Sequence, residues 1–255
     1  MTIEYRKLSF AGFYLFAGGI PFSLLPPQIG IFFAFLGWLL EGFIRKNWQF
    51  KSHPILWVLV VYWGWNLIAS ALSERPIHSL LAVFDNEWMV LIFLMMYWVI
   101  QTKDELLKII WTLVLFSVPA FLYGIIQSMM GIEYIKGVEL LKEEGQVLYK
   151  AVGFHGFWLT YAAFGMIVMF LAIAIARTAT NKRNEIIGYI VSLMSLAAVY
   201  VTYARSIWLG MTAGLMTSFF FLPKKISLTI IISGMVILTA LYITCLLYTS
   251  DAADE

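Results

Sequence analysis

The chain has 255 residues, of which 62% are apolar and 13% charged, and its formal net charge is +2. Soluble domains hold roughly 45–50% apolar and about 25% charged residues, so this composition excludes a water-soluble globular protein and describes a polytopic membrane protein. Cys245 is the only cysteine and His53, His78 and His155 are scattered without ligand spacing, which excludes an internal disulfide and a thiol or paired-histidine metal site; no metal, cofactor or nucleic-acid partner is expected.

A helix needs about 20 apolar residues to cross the hydrocarbon of a bilayer. In chain order the apolar runs predict nine spans: 8–25, 27–44, 54–72, 87–100, 109–128, 153–176, 185–202, 206–222 and 226–247. No A-x-A cleavage pattern follows the first run, which reads as a retained helix. Pro21, Pro26 and Pro27 tighten the turn after it. The fourth run is short, and "SLLAVF" (79–84) either extends it or lies along the interface. Asn66, an amide inside the third run, is expected to hydrogen-bond between helices. Trp38, Trp57, Trp88, Trp158 and Trp208 fall near span ends, as an interfacial aromatic belt would. The expected fold is all-α, a polytopic membrane helical bundle with one domain over 1–247 and a non-native or unstructured tail over 248–255.

Charge orients this bundle. With the N-terminus cytoplasmic, twelve of the 17 lysines and arginines fall on the cytoplasmic side. The remaining five, Arg75, Lys136, Lys142, Lys150 and Arg205, fall on the outer side, together with the longest loop, 129–152. The asymmetry satisfies the positive-inside rule, and the flipped arrangement inverts it.

Arg205 stands in "VTYARSIWLGMTAGL", at the start of the eighth run. This stretch resembles the Thr-x-Ser-Arg-Gly segment that opens a helix in the O-antigen ligase and polymerase family. Thr202 and Arg205 match it, while Ala204 and Ser206 replace the usual serine and glycine. Upstream, "KAVGFHGFWLTYAAFGMIV" (150–168) is similar to the family's glycine-containing outer loop that runs into a helix, with Lys150 where arginine is more usual. The resemblance covers roughly residues 30–245. It implies a bacterial cytoplasmic-membrane glycosyltransferase, ligase or polymerase, acting at the outer face. The implied partners are a polyprenyl-diphosphate-linked glycan donor, a glycan or lipid acceptor, and membrane lipids. Family members continue into a further large outer loop that holds the family's catalytic histidine. The end of this chain, "CLLYTSDAADE" (245–255), resembles translated adapter sequence, so a C-terminally truncated piece, inactive alone, is expected.

Within that reading Arg205 suits the carrier diphosphate because its planar fork donates two parallel hydrogen bonds and keeps its charge. Lys150 is a candidate second cation on the phosphates, and Arg75, in "SERPIHSL", a third. His155, between Gly153 and Gly156, is the candidate general base on an acceptor hydroxyl. The rival reading from another class is a lipid-linked glycan flippase or other polytopic transporter. Against it, no repeat is evident and no acidic residue lies deep in a run, since Glu41 and Glu87 fall at ends.

Overall fold

In a computed structural model of the chain, residues 5–46, 48, 54–87, 89–142 and 146–219 are described. The ninth expected span and the expected tail lie outside them. Two compact units divide the chain, Met1–Leu113 and Val114–Glu255. The described residues form nine helices: α1 (Tyr5–Gly19), α2 (Leu25–Arg45), α3 (Pro54–Ala71), α4 (Pro76–Glu87), α5 (Met89–Val99), α6 (Lys103–Met130), α7 (Trp158–Thr178), α8 (Lys182–Tyr200) and α9 (Arg205–Phe219). Between α6 and α7 lies one antiparallel pair, β1 (Ile132–Glu133) and β2 (Val138–Glu139).

The all-helical architecture is as expected; the count of nine spans is not. Four of these helices, α2, α3, α6 and α7, are long and apolar enough to cross a membrane. The 15 residues of α1 and the 11 of α5 rise about 1.5 Å each, short of a hydrocarbon core of about 30 Å. The 15 described residues of α9 fall short for the same reason. α8 has 19 residues, but its first turn carries Lys182, Arg183 and Glu185, and Ser192 and Ser195 follow. The stretch expected to extend or flank the fourth span is a helix of its own, α4.

In the first unit, α1 and α2 pack through their smallest residues. A Cβ on Gly30 would lie 2.6 Å from the Phe16 backbone nitrogen, and one on Gly37 2.6 Å from that of Ser9. Ser9 Oγ donates to Ala34 O at 3.0 Å. Small residues four apart let backbones approach, as in membrane helix pairs. Pro26 and Pro27 stand in the first turn of α2, where the N–H groups they lack have no intrahelical acceptor. We expect Gly30→Leu to cost about 1–3 kcal/mol or more, because backbone cannot move aside as a flexible side chain can. The check is the apparent melting temperature of detergent-purified protein, against Gly64→Leu on α3, where an added Cβ meets nothing within 4 Å. Equal melting temperatures for the two variants would refute the close packing.

The start of α6 is fastened twice. Thr102 and Glu105 make a capping box: Glu105 N–H donates to Thr102 Oγ1 at 3.3 Å and Thr102 N–H to Glu105 Oε2 at 3.2 Å. Arg6 of α1 donates to both Glu105 oxygens at 2.7 and 2.8 Å, and to Val99 O at 3.2 Å. Residues 6 and 105 therefore share one end of this unit. α3 contrasts with its neighbours. Trp57, Val61 and Trp65 are each about 70% exposed, which suits a lipid-facing surface. Asn66 Nδ2 is shut from solvent and meets no acceptor among the described residues, so the amide nitrogen makes no interhelical bond to them.

In the second unit, α7 and α8 pack on a similar stripe. Ser195 Oγ donates to Gly165 O at 2.5 Å, and Gly188 lies against the backbone of Ala172. α9 joins them through Met211, buried with Ala162, Met169 and Val199. This helical base carries, at the end where β1 and β2 lie, the loops that hold three of the four candidate residues.

Candidate functional site

The site is assembled by segment 148–153, which runs as a strap across two helix ends. At one end Tyr149 N–H donates to Ser128 O at 3.0 Å, and Ser128 Oγ returns a bond to Tyr149 O at 2.7 Å. At the other, Ala151 N–H donates to Val201 O at 3.0 Å and Leu148 N–H to Tyr203 Oη at 3.2 Å. Lys150 N–H donates to Leu141 O at 2.8 Å. The strap thus ties the end of α6 to the turn between α8 and α9.

Thr202 organises that turn. It is fully buried, its Oγ1 donates to Val199 O at 2.7 Å, and it accepts from Ala204 N–H at 3.2 Å. One hydroxyl closes α8 and sets up α9, a use to which threonine is suited. Tyr203 takes a left-handed conformation, φ 54°, costly for a residue with a Cβ. Its hydroxyl bond to the strap and the Thr202 bonds hold it there. Arg205 follows as the first, exposed residue of α9. Tyr200 and Trp208 stack beside it at 5.4 Å, with planes 3° apart, and Trp208 Nε1 donates to Val199 O at 3.3 Å.

Lys150 and Arg205 are thereby brought into one loop cluster. Lys150 Nζ lies 5.3 Å from the centroid of the Trp158 ring, a cation–π contact. Trp158 packs against the same core as Ala204 and Trp208. Arg75 belongs to the first unit, exposed on the bend between α3 and α4, where its carbonyl accepts from Ser79 N–H at 3.0 Å.

His155 stands differently from its expected place inside a span. α7 begins at Trp158, five residues later than the apolar run suggests. Gly153 and Gly156 both have positive φ, 55° and 70°, and Phe157 is extended, so 153–157 is a turn ahead of the helix. Within it the imidazole packs 4.9 Å from the Phe164 ring and 5.9 Å from that of Tyr161. Tyr161, 1% exposed, wedges between Gly124 and Gly153 and donates to Ala120 O at 3.2 Å.

Burial holds the His155 imidazole below its ordinary value of 6.5. A folded-state pKa below the unfolded one means that the folded chain binds fewer protons. The contribution to stability is therefore full above pH 6.5 and lost as pH falls through the lowered value. We expect the melting temperature to fall between pH 7 and pH 5 by less in His155→Gln than in the parent; equal falls would show that His155 is not the titrating group.

Gln127 is the residue that sequence reasoning passed over. It is 0% exposed, and its Nε2 donates to Gly153 O at 3.3 Å. An amide near the end of an apolar run reads as interfacial, and its burial follows from the strap, which no local pattern announces. Among the described residues no three His, Cys, Asp or Glu side chains gather to hold a metal. No protein-family model, no curated protein and no solved structure matches the chain.

Proposed function

We propose that this chain is part of a membrane glycosyltransferase that takes glycan from a polyprenyl-diphosphate carrier, as ligase or polymerase, at the outer face of a bacterial cytoplasmic membrane. One observation carries the reading: the strap joins the backbone beside Lys150 to the turn that leads into Arg205, at the end of a unit whose helices are apolar, with His155 in the adjoining turn. A lipid diphosphate is anchored in the bilayer and carries its charge at the surface, so a receptor needs cations at a helix end.

In this mechanism the Arg205 guanidinium and the Lys150 ammonium hold the diphosphate. The acceptor hydroxyl gives its proton to the neutral imidazole of His155 as its oxygen bonds to the anomeric carbon. The bond from that carbon to the phosphate oxygen breaks, and the carrier diphosphate leaves with the electron pair. Negative charge grows on the leaving group, so the cations stabilise the transition state more than the ground state. Aromatic rings at Trp158, Tyr200 and Trp208 offer apolar faces to sugar rings. The direct test is equilibrium binding of a polyprenyl-diphosphate-linked glycan to the intact chain in nanodiscs. Saturable binding weakened by Arg205→Lys is expected, and the absence of saturable binding would overturn the reading.

A further inference from the structure

The length of α6 matches the thickness of a bilayer core. Its charges, Lys103, Asp104, Glu105 and Lys108, all stand at its start, and 109–130 carries none. At 1.5 Å per residue that uncharged stretch rises about 33 Å, against about 30 Å of hydrocarbon. Met129 and Met130, both exposed, come out at the far boundary. There the hairpin of β1 and β2 begins, at Ile132.

The hairpin is fixed at that level. Gly131 turns the chain at φ 76° with its N–H still bonded to Gln127 O at 2.8 Å, and its carbonyl accepts from Leu140 N–H at 2.9 Å. Gly137 N–H closes the tip on Glu133 O at 2.8 Å, and Lys150 N–H ties the far end to Leu141 O at 2.8 Å. The surface of this fixed element is apolar: Ile132, Tyr134, Ile135 and Val138 are between 41% and 64% exposed. Four large apolar side chains on one short hairpin are a liability in water. Lys136, also at the tip, has its Nζ 3.7 Å from Glu133 Oε1 and 2.5 Å from where a Gly156 Cβ would be. A lysine beside an exposed tyrosine and isoleucine suits an element lying at a membrane surface.

We propose that the 131–141 hairpin is an interfacial anchor. Ile132, Tyr134, Ile135 and Val138 enter the boundary between headgroups and acyl chains in the leaflet where α6 ends. A bilayer is the occupant because the hairpin is bonded to the end of a helix long enough to cross one, at the depth where that helix leaves the hydrocarbon. The anchor sets the level of the candidate site. Its end holds the strap at Lys150, and Lys136 reaches the 153–156 turn. Both segments then lie at headgroup depth, where a lipid carrier presents its phosphates. This last consequence rests on the function proposed above; the membrane contact does not.

The experiment is electron paramagnetic resonance of single nitroxide labels on the intact chain, in phosphatidylcholine nanodiscs and a Cys245→Ser background. The labels follow Tyr134→Cys, Ile135→Cys or Val138→Cys. Oxygen partitions into the bilayer and a nickel chelate into water, so the ratio of their accessibilities reads depth. Val61→Cys, on the exposed face of α3, supplies the lipid reference, and Lys182→Cys, at the exposed start of α8, the water reference. The ratio at the three hairpin sites is expected to rise severalfold over that at Lys182, toward the Val61 value. Agreement among three sites guards against one label burying itself. Ratios equal to that of Lys182 would place the hairpin in water and overturn the proposal. Labels shielded from both reagents, with immobilised spectra, would mean that protein covers the hairpin, from this chain, a second copy or a partner, and would overturn it equally. Carrier binding by the Arg205 variants does not enter this measurement, so the two proposals fail separately.

Discussion

Gly153→Val is expected to lower the apparent melting temperature of the purified protein by more than any other single change in the loop cluster. Two costs combine. At φ 55° a residue with a Cβ is strained, by about 1–3 kcal/mol. The added Cβ would also fall on the Tyr161 ring, and overpacking adds about 1–3 kcal/mol. Tyr161 cannot swing away, because its hydroxyl is bonded to Ala120 O and its ring is held between two glycines. Gly137 separates the two terms. Its φ is 65°, in the same region, but a Cβ there meets nothing within 4 Å. Gly137→Ala should therefore show the backbone cost alone, and Gly153→Ala that cost plus the overlap. Equal shifts for the two alanine variants would mean that Tyr161 yields, and that the turn is not locked as described.

The order of helices was legible because apolar runs are long and interrupted by charge or glycine. What the runs do not carry is where a helix stops. Residues 153–157 are apolar enough to join the span that follows, yet Gly153 and Gly156 adopt positive φ and Phe157 is extended, so α7 starts at Trp158. Residues 88–100 are apolar throughout, but Asp85, Asn86 and Glu87 stand just before them, so α4 ends at Glu87 and α5 is only 11 residues long. Hydropathy scores residues singly, whereas crossing a bilayer needs an uninterrupted length.

The candidate site was legible in part for the same kind of reason. Arg205 stood out because charge among apolar runs is conspicuous, whereas Lys150, in a loop already rich in charge, was noticed only through the resemblance of its segment to a known pattern. Thr202 was noticed only for matching a short motif, and its role is structural: its hydroxyl joins two helices and supports Tyr203. That the two cations share a cluster depends on bonds between residues such as Ala151 and Val201, or Leu148 and Tyr203, 50 and 55 positions apart. No periodicity encodes contacts of that range. Gln127 went unseen because its importance lies in burial, which its position near a run's end conceals.

Arg205→Lys is expected to weaken binding of a polyprenyl-diphosphate-linked glycan to the chain in nanodiscs by about tenfold, and Arg205→Ala by about 100-fold. Lysine keeps the charge but is a point donor on a flexible stem, and it loses the second of two parallel bonds. Alanine loses the attraction as well. The Thr202 and Tyr203 bonds that build the turn do not use the Arg205 side chain and stay in place in both variants; unchanged melting temperatures of the two variants are the control. Lys150→Ala should weaken binding less than Arg205→Ala, because its ammonium also rests on the Trp158 ring. Salt discriminates further, since attraction between exposed charges is screened over about 8 Å at physiological ionic strength. The parent's affinity should fall steeply with salt, and that of Arg205→Ala only shallowly. Where transfer is measured, the loss in Arg205→Lys should appear in kcat as well as KM, because charge on the diphosphate grows as the glycosidic bond breaks. If both variants bind the carrier as the parent does, with the same salt dependence, Arg205 is an interfacial anchor for ordinary lipid phosphates. The gathering of cations by the strap would then be a membrane-facing feature rather than a substrate site, and a transporter would become the better reading of these helices.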